Sequence, residues 1–294
     1  MARFLLLAIL ALAACAERSP PAPWPEPPLL HSAPLAAPAP PAAPARWPAP
    51  GVLLQPPRLV TTSGYAARRV YLDPGHRDAD GRDGGTGAYC QLEADFALEL
   101  AQDLGRRLEQ TGAFIVRLAR EPGEIVAYAE RVARAEAWGA DAYLGLHSDV
   151  RGPGRPWSPR PGKECSYDES SPGFSIIWSD VAPAGLRARR QILARAVARA
   201  LGAAGFLPCA CREYVREYRA DEDALGLFVD RRPSPRRIQV LERNGVPAIL
   251  VETHNARDPH EAQRWQEEHT REVFAAVIAA ALREALAGPS AETR

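Results

Sequence analysis

The chain has 294 residues, 36 basic and 36 acidic side chains, and a formal net charge of zero at pH 7. A neutral chain gives no bulk electrostatic case for nucleic acid, which calls for a basic surface. The length suits one or two domains, and the alanine- and proline-rich first part does not have the composition of a packed fold.

Arg3 is followed by a nearly uninterrupted apolar run, Phe4 to Leu12. That run is too short to cross a bilayer. A positive start, a short apolar stretch and then small residues mark an export signal. Leu12-Ala13-Ala14-Cys15 resembles the bacterial lipobox. This implies a signal peptide over 1–14 and a lipid-bearing Cys15 that anchors the chain to a membrane. The alternative is an ordinary signal peptide that happens to contain a cysteine. Ala16, where an Asp would favour the inner membrane, points to the periplasmic face of the outer membrane in a double-membraned bacterium. From Pro20 to Pro57 prolines recur every few residues among alanines. Such a segment makes neither helix nor sheet. It is expected to be an extended spacer of roughly 100 Å, at about 3.1 Å per residue. The expected organisation is a linker over 15–64, one catalytic domain over 65–288 and a disordered tail over 289–294.

Strand-like and helix-like patterns alternate beyond residue 65. Val70 to Asp73 reads as a strand, and Gln91 to Gln110 as a helix with Phe96, Leu100, Leu104 and Leu108 on one face. Phe114 to Leu118 is a strand. Ile125 to Trp138 is a helix that places Ile125 and Val132 on one face, and Ala142 to Leu146 is the next strand. A Gly/Pro/Ser-rich excursion spans Arg151 to Gly173. Strand Phe174 to Trp178, helix Leu186 to Ala204 and strand Ala248 to Glu252 follow. Asp258-Pro259, with Glu261 three residues on, opens one last helix to about Leu286. This alternation predicts an α/β fold: a twisted, largely parallel sheet with helices on both faces.

With Cys15 set aside, Cys90, Cys165, Cys209 and Cys211 remain. In an exported chain they suggest two disulfides. Cys209 and Cys211 are close in sequence, so each is expected to pair elsewhere, tying Cys90 and Cys165 to the Cys209 region.

Four residues carry candidate chemistry. His76 lies just past the first strand; His147 and Glu252 lie at the carboxyl ends of two others, the edge where open α/β sheets bind ligands. Glu93 sits in the first turn of a helix on the stripe of Phe96, Ala97 and Leu100. A carboxylate there is costly unless it is paired or bound to metal. Two histidines and a carboxylate make a ligand set for catalytic Zn²⁺, and a second carboxylate serves as proton acceptor. Each residue alone also has a bland reading: a structural histidine, a cap or a salt-bridge partner.

The same residues closely resemble the zinc-dependent N-acetylmuramoyl-L-alanine amidases of the Amidase_3 type. The matching stretches are Asp73-Pro74-Gly75-His76, the Gly81 to Gly87 loop leading to Glu93, and Arg120 and Arg131. Further on they are Ala140-Asp141 with Gly145-Leu146-His147-Ser148-Asp149, and Pro247-Ala248-Ile249-Leu250-Val251-Glu252. The resemblance implies Zn²⁺ held by His76, Glu93 and His147, with Glu252 as the catalytic proton acceptor. The substrate would be the amide between N-acetylmuramic acid and L-alanine in peptidoglycan. Asp73 is expected to support the site by pairing with a histidine. The chain departs from the family at Gly145, at Asp149 and at Thr253-His254-Asn255-Ala256; His254 reads as a loop residue rather than a substrate contact. Two other functions stay open: a non-catalytic wall-binding or regulatory lipoprotein, and a zinc peptidase cutting elsewhere in the stem peptide. A protein activator is an open partner.

Overall fold

The computed structural model describes residues 54–58 and 66–287. The expected signal peptide, Cys15, most of the proline-rich linker and the tail lie outside the described residues. Within the span read as linker, Leu54 is buried, and the Gln55 amide donates to the Ala204 carbonyl at 3.0 Å.

In chain order the elements are β1 (Arg68–Pro74), α1 (Glu93–Gln110), β2 (Phe114–Leu118), α2 (Tyr128–Trp138) and β3 (Ala142–Asp149). Next come β4 (Arg155–Arg160), β5 (Lys163–Tyr167), β6 (Ser175–Trp178), α3 (Ala184–Ala203) and a 3-10 turn (Arg212–Arg216). The chain continues through β7 (Tyr218–Ala220), β8 (Leu227–Asp230), α4 (Gln239–Glu242), β9 (Ala248–Asn255), α5 (Pro259–Arg264) and α6 (Glu268–Leu286). Seven strands form one sheet in the order β2-β1-β3-β9-β6-β8-β7. The first four are mutually parallel. Strand β6 runs antiparallel to β9, β8 is parallel to β6, and β7 is antiparallel to β8.

The period of two along each strand sorts the core into two layers. Val70, Leu72, Leu144, Ile249 and Val251 pack under α1, α3 and α6. Tyr71, Tyr143, Ala248 and Leu250 face Val132 and Ala135 of α2 and Val240 and Leu241 of α4. Helices thus cover both faces of a mostly parallel sheet, as expected.

Several details differ from the sequence reading. Helix α2 begins at Tyr128, because the Val126 amide is drawn to the Arg77 carbonyl at 3.0 Å; Ile125 is exposed rather than on the buried face. The last helix is two. Asp258 caps α5 as expected, accepting from the His260 and Glu261 amides. Glu261 does not close a capping box: its carboxylate accepts from the amides of Gly173 and Asn255, both at 2.9 Å. Trp265 then turns inward, stacked on His254, and α6 starts afresh at Glu268. The excursion contains an antiparallel hairpin, β4–β5.

The disulfides correct the expected pairing. Cys90 bonds Cys165, and Cys209 bonds Cys211. Cys211 adopts a left-handed backbone with φ of 35°, which folds the chain back and sets the Cys209 and Cys211 Cα atoms 5.2 Å apart. That separation is ordinary for a disulfide. The Cys90–Cys165 bond staples the hairpin to the loop just before Glu93.

Candidate active site

Strand β1 delivers Asp73-Pro74 to the carboxyl edge of the sheet. There His76 and Arg77 take left-handed φ values of 63° and 56°, a strained conformation for residues with a Cβ. A guanidinium from α2 holds this turn. Arg131 is fully buried and donates to Asp73 Oδ1 at 2.7 Å, to the Pro74 carbonyl at 3.1 Å, to the Arg77 carbonyl at 2.9 Å and to the His76 carbonyl. Arg120 ties the same turn to the next element: it donates to Pro74 and Gly75 and, at 2.7 Å, to the Ala94 carbonyl in the first turn of α1. Asp73 therefore does not pair with a histidine. Alternation along β1 puts it on the α2 face beside Tyr71, where Arg131 and the Tyr143 hydroxyl take its two oxygens.

Glu93 opens α1, and its position on the buried stripe carries the carboxylate under the turn. His147 of β3 sits in register with Glu252 of β9. The structure brings His76, Glu93 and His147 together: their ligand atoms all lie within 4.8 Å of one another. His76 Nε2 approaches Glu93 Oε1 at 2.8 Å, and His147 Nδ1 approaches the same oxygen at 2.9 Å. Glu93 Oε2 accepts from the Gly85 amide at 3.0 Å. Burial pushes the Glu93 carboxyl up, but its bond to His147 and the close approach of the His76 imidazole outweigh that and hold it well below the usual carboxylate range. Glycine is needed close by: a Cβ at Gly75 would overlap the His147 ring, and one at Gly84 the His76 ring.

Two buried atoms in this group lack hydrogen bonds. His76 Nε2 is one, since its short approach to Glu93 has poor bonding geometry; Glu252 Oε2 is the other. Unpartnered buried polar atoms are uncommon in native folds. Two imidazole nitrogens and a carboxylate oxygen around one point are the donor types that hold a divalent metal. The residues present fit such an ion. Glu252 lines the same cavity, of about 380 Å³, as the three. Burial raises its carboxyl well above the ordinary range, helped by the nearby charges of Asp149 and Glu93.

Asp149 is held by its neighbours. It accepts from Arg151 Nε at 2.8 Å, from the Val150 amide at 2.8 Å and from the Tyr214 hydroxyl. Sequence reasoning missed the cavity's other wall, which includes Tyr218, Arg232 and Arg237. The run Arg231-Arg232-Pro233-Ser234-Pro235-Arg236-Arg237 was the available signal.

His254 is a residue of β9, not of a loop. It is 2% exposed, stacked on Trp265 and edge-on to Phe96, and its Nδ1 is 2.9 Å from the Thr253 hydroxyl. Burial, with help from Arg151, pushes its pKa down to about 3. The unfolded chain takes up this proton as pH falls through about 6.5, and the folded chain does not until about pH 3. The stability from a neutral His254 is thus fully present above pH 6.5 and is lost as pH falls toward 3. Urea unfolding from pH 7 to 4.5 is expected to show stability falling less steeply in His254→Phe. The difference has a ceiling of about 1.4 kcal/mol per pH unit; parallel slopes would remove His254 as a source of acid sensitivity.

A His–His–Glu group at the carboxyl edge of an α/β sheet, with a second buried carboxylate in the same cavity, is an arrangement suited to metal-assisted hydrolysis. The family model of the N-acetylmuramoyl-L-alanine amidases, Amidase_3, matches residues 70–284. The chain belongs to that family of enzymes. It is 34% identical over 83 residues to the probable cell wall amidase LytH of Staphylococcus aureus, a match covering 28% of this chain and 26% of the relative. The match therefore spans about a quarter of that relative's length. Among solved structures, the amidase Ami1 of Mycobacterium smegmatis superposes with a TM-score of 0.58 at 18% identity, over 76% of this chain and 99% of that one. The amidase of Clostridium difficile 630 gives 0.53 at 20% identity, over 74% and 95%. These likenesses show a shared fold.

Proposed function

We propose that the chain hydrolyses the amide between the lactyl group of N-acetylmuramic acid and L-alanine of the peptidoglycan stem peptide. His76, Glu93 and His147 hold Zn²⁺ and Glu252 is the proton acceptor. The convergence of these four residues in one cavity carries the reading. Zinc bound there supplies Lewis acidity toward the scissile carbonyl and brings water's pKa toward neutrality. Glu252 takes the proton of the attacking water and returns it to the departing amine of L-alanine. Arg131 and Arg120 hold the turn that carries His76, and the Gly85 amide holds Glu93. The lipobox-like Cys15 and the proline-rich spacer support placing this domain on a lipid anchor in the cell envelope, on the periplasmic face of the outer membrane.

The test is mass spectrometry of purified peptidoglycan after digestion by the zinc-loaded protein. The expected products are intact stem peptides beginning with L-alanine and glycan strands with free lactyl groups. Peptides cut internally would instead indicate a peptidase, and unchanged material a binding protein.

A further inference from the structure

The cavity that holds the His–His–Glu group is also lined by Arg232 and Arg237, and Asp230 organises this basic part of the wall. Asp230 is fully buried at the end of β8. It holds Arg232 through Nε and Nη2, both at 3.1 Å, and accepts from the Ile238 amide at 2.9 Å. Its own carbonyl accepts from Arg237 Nη1 at 3.0 Å. Arg232 lies over the Tyr218 ring at 5.0 Å. Asp180 is shared, 2.9 Å from Arg231 and 3.8 Å from Arg237. Among the described residues, Arg231, Arg232, Arg236 and Arg237 face three carboxylates, Asp180, Glu217 and Asp230, leaving one positive charge in excess. Arg237 Nε and Nη2, and Arg232 Nη1, bond no described residue, while both side chains line the cavity with Glu252. Donors of this kind match a carboxylate.

The chemistry of the substrate says which one. The acyl side of the scissile amide is a neutral sugar. On the amine side, the first anion is the α-carboxylate of the second residue, D-glutamate, whose γ-carboxyl continues the stem. Two residues span at most about 7 Å, within the reach of one cavity. We propose that Arg237, buttressed by Arg232, binds that α-carboxylate and makes the enzyme select D-glutamate over its amidated form, D-isoglutamine. The same contact sets the direction of binding, with peptide toward the arginines and sugar away from them. This inference rests on the amidase reading.

The test compares hydrolysis of N-acetylmuramoyl-L-Ala-γ-D-Glu-meso-diaminopimelate with the same compound carrying D-isoglutamine, and with one amidated on the diaminopimelate carboxylates instead. The wild-type kcat/KM is expected to be about tenfold or more higher for D-glutamate than for D-isoglutamine. Amidation of the third residue should change it less than twofold. Arg237→Gln should bring the D-Glu/D-isoGln ratio near one, and Arg237→Lys should restore part of it. Equal rates for wild type on the first two compounds, a ratio that survives Arg237→Gln, or discrimination at the third residue instead would each overturn the assignment. The wild-type comparison stands even where a variant fails to fold. Hydrolysis of none of the compounds would instead remove the amidase reading on which the inference rests.

Discussion

Glu252→Gln is expected to lower turnover by on the order of 10³-fold while zinc content stays at the wild-type level. Glutamine has the shape of glutamate and keeps the place of the side chain in β9, between His147 of β3 and Ser175 of β6. What it loses is the ability to take a proton. The structure makes that loss costly. Glu252 is buried, its Oε2 bonds nothing among the described residues, and burial together with Asp149 and Glu93 raises its affinity for a proton. No nearby acid can replace it: Asp149 is committed to Arg151 and Tyr214, and Glu93 to the two histidines. Elemental analysis and kcat on a muropeptide decide the matter together. Near wild-type turnover with full zinc would take Glu252 out of the reaction. Lost turnover with lost zinc would make it part of the ion's site instead.

The reach of sequence reasoning here followed the length of the elements. β1, β3 and β9 are apolar runs that end in polar residues, so their carboxyl ends, and His76, His147 and Glu252 with them, could be placed without coordinates. Glu93 was legible because it breaks the apolar stripe of α1. Strands β7 and β8 have three and four residues and the basic loop after them has no periodicity. That stretch therefore stayed unassigned, and the wall that carries Arg232 and Arg237 with it. The expectation for Asp73 fails for a different reason: it rests on the general pairing of a carboxylate with a metal-site histidine, whereas the pleat sends this side chain to the α2 face. The cysteines failed likewise, because a left-handed Cys211 is not visible in residue spacing. Long periodic elements report themselves; backbone conformation at single residues does not.

Arg131→Met is expected to cost about 3–5 kcal/mol of stability and, separately, to weaken zinc binding. The guanidinium and the Asp73 carboxylate are 0% and 1% exposed. Methionine fills similar volume, so the loss is not chiefly one of packing. It strands the Asp73 charge in the interior with one hydrogen-bond donor among the described residues, the Tyr143 hydroxyl, and the Arg120 charge nearby but unbonded to it. It also frees the carbonyls of His76 and Arg77, both of which this turn holds in left-handed backbone. Each such residue costs roughly 1–2 kcal/mol, and it is Arg131 that holds the turn against that strain. Once the turn is held by Arg120 alone, His76 Nε2 is kept beside Glu93 less firmly, so affinity for the ion falls even in molecules that remain folded. Arg120→Met is the comparison. It removes donors from three carbonyls of the same region but leaves no buried charge behind, and its cost should be the smaller of the two. Urea unfolding of the zinc-free variants, with zinc titration monitored by competition with a chelator, measures both effects. Equal destabilisation by the two substitutions, or unchanged zinc affinity in Arg131→Met, would show that the buried pair does not set the position of His76.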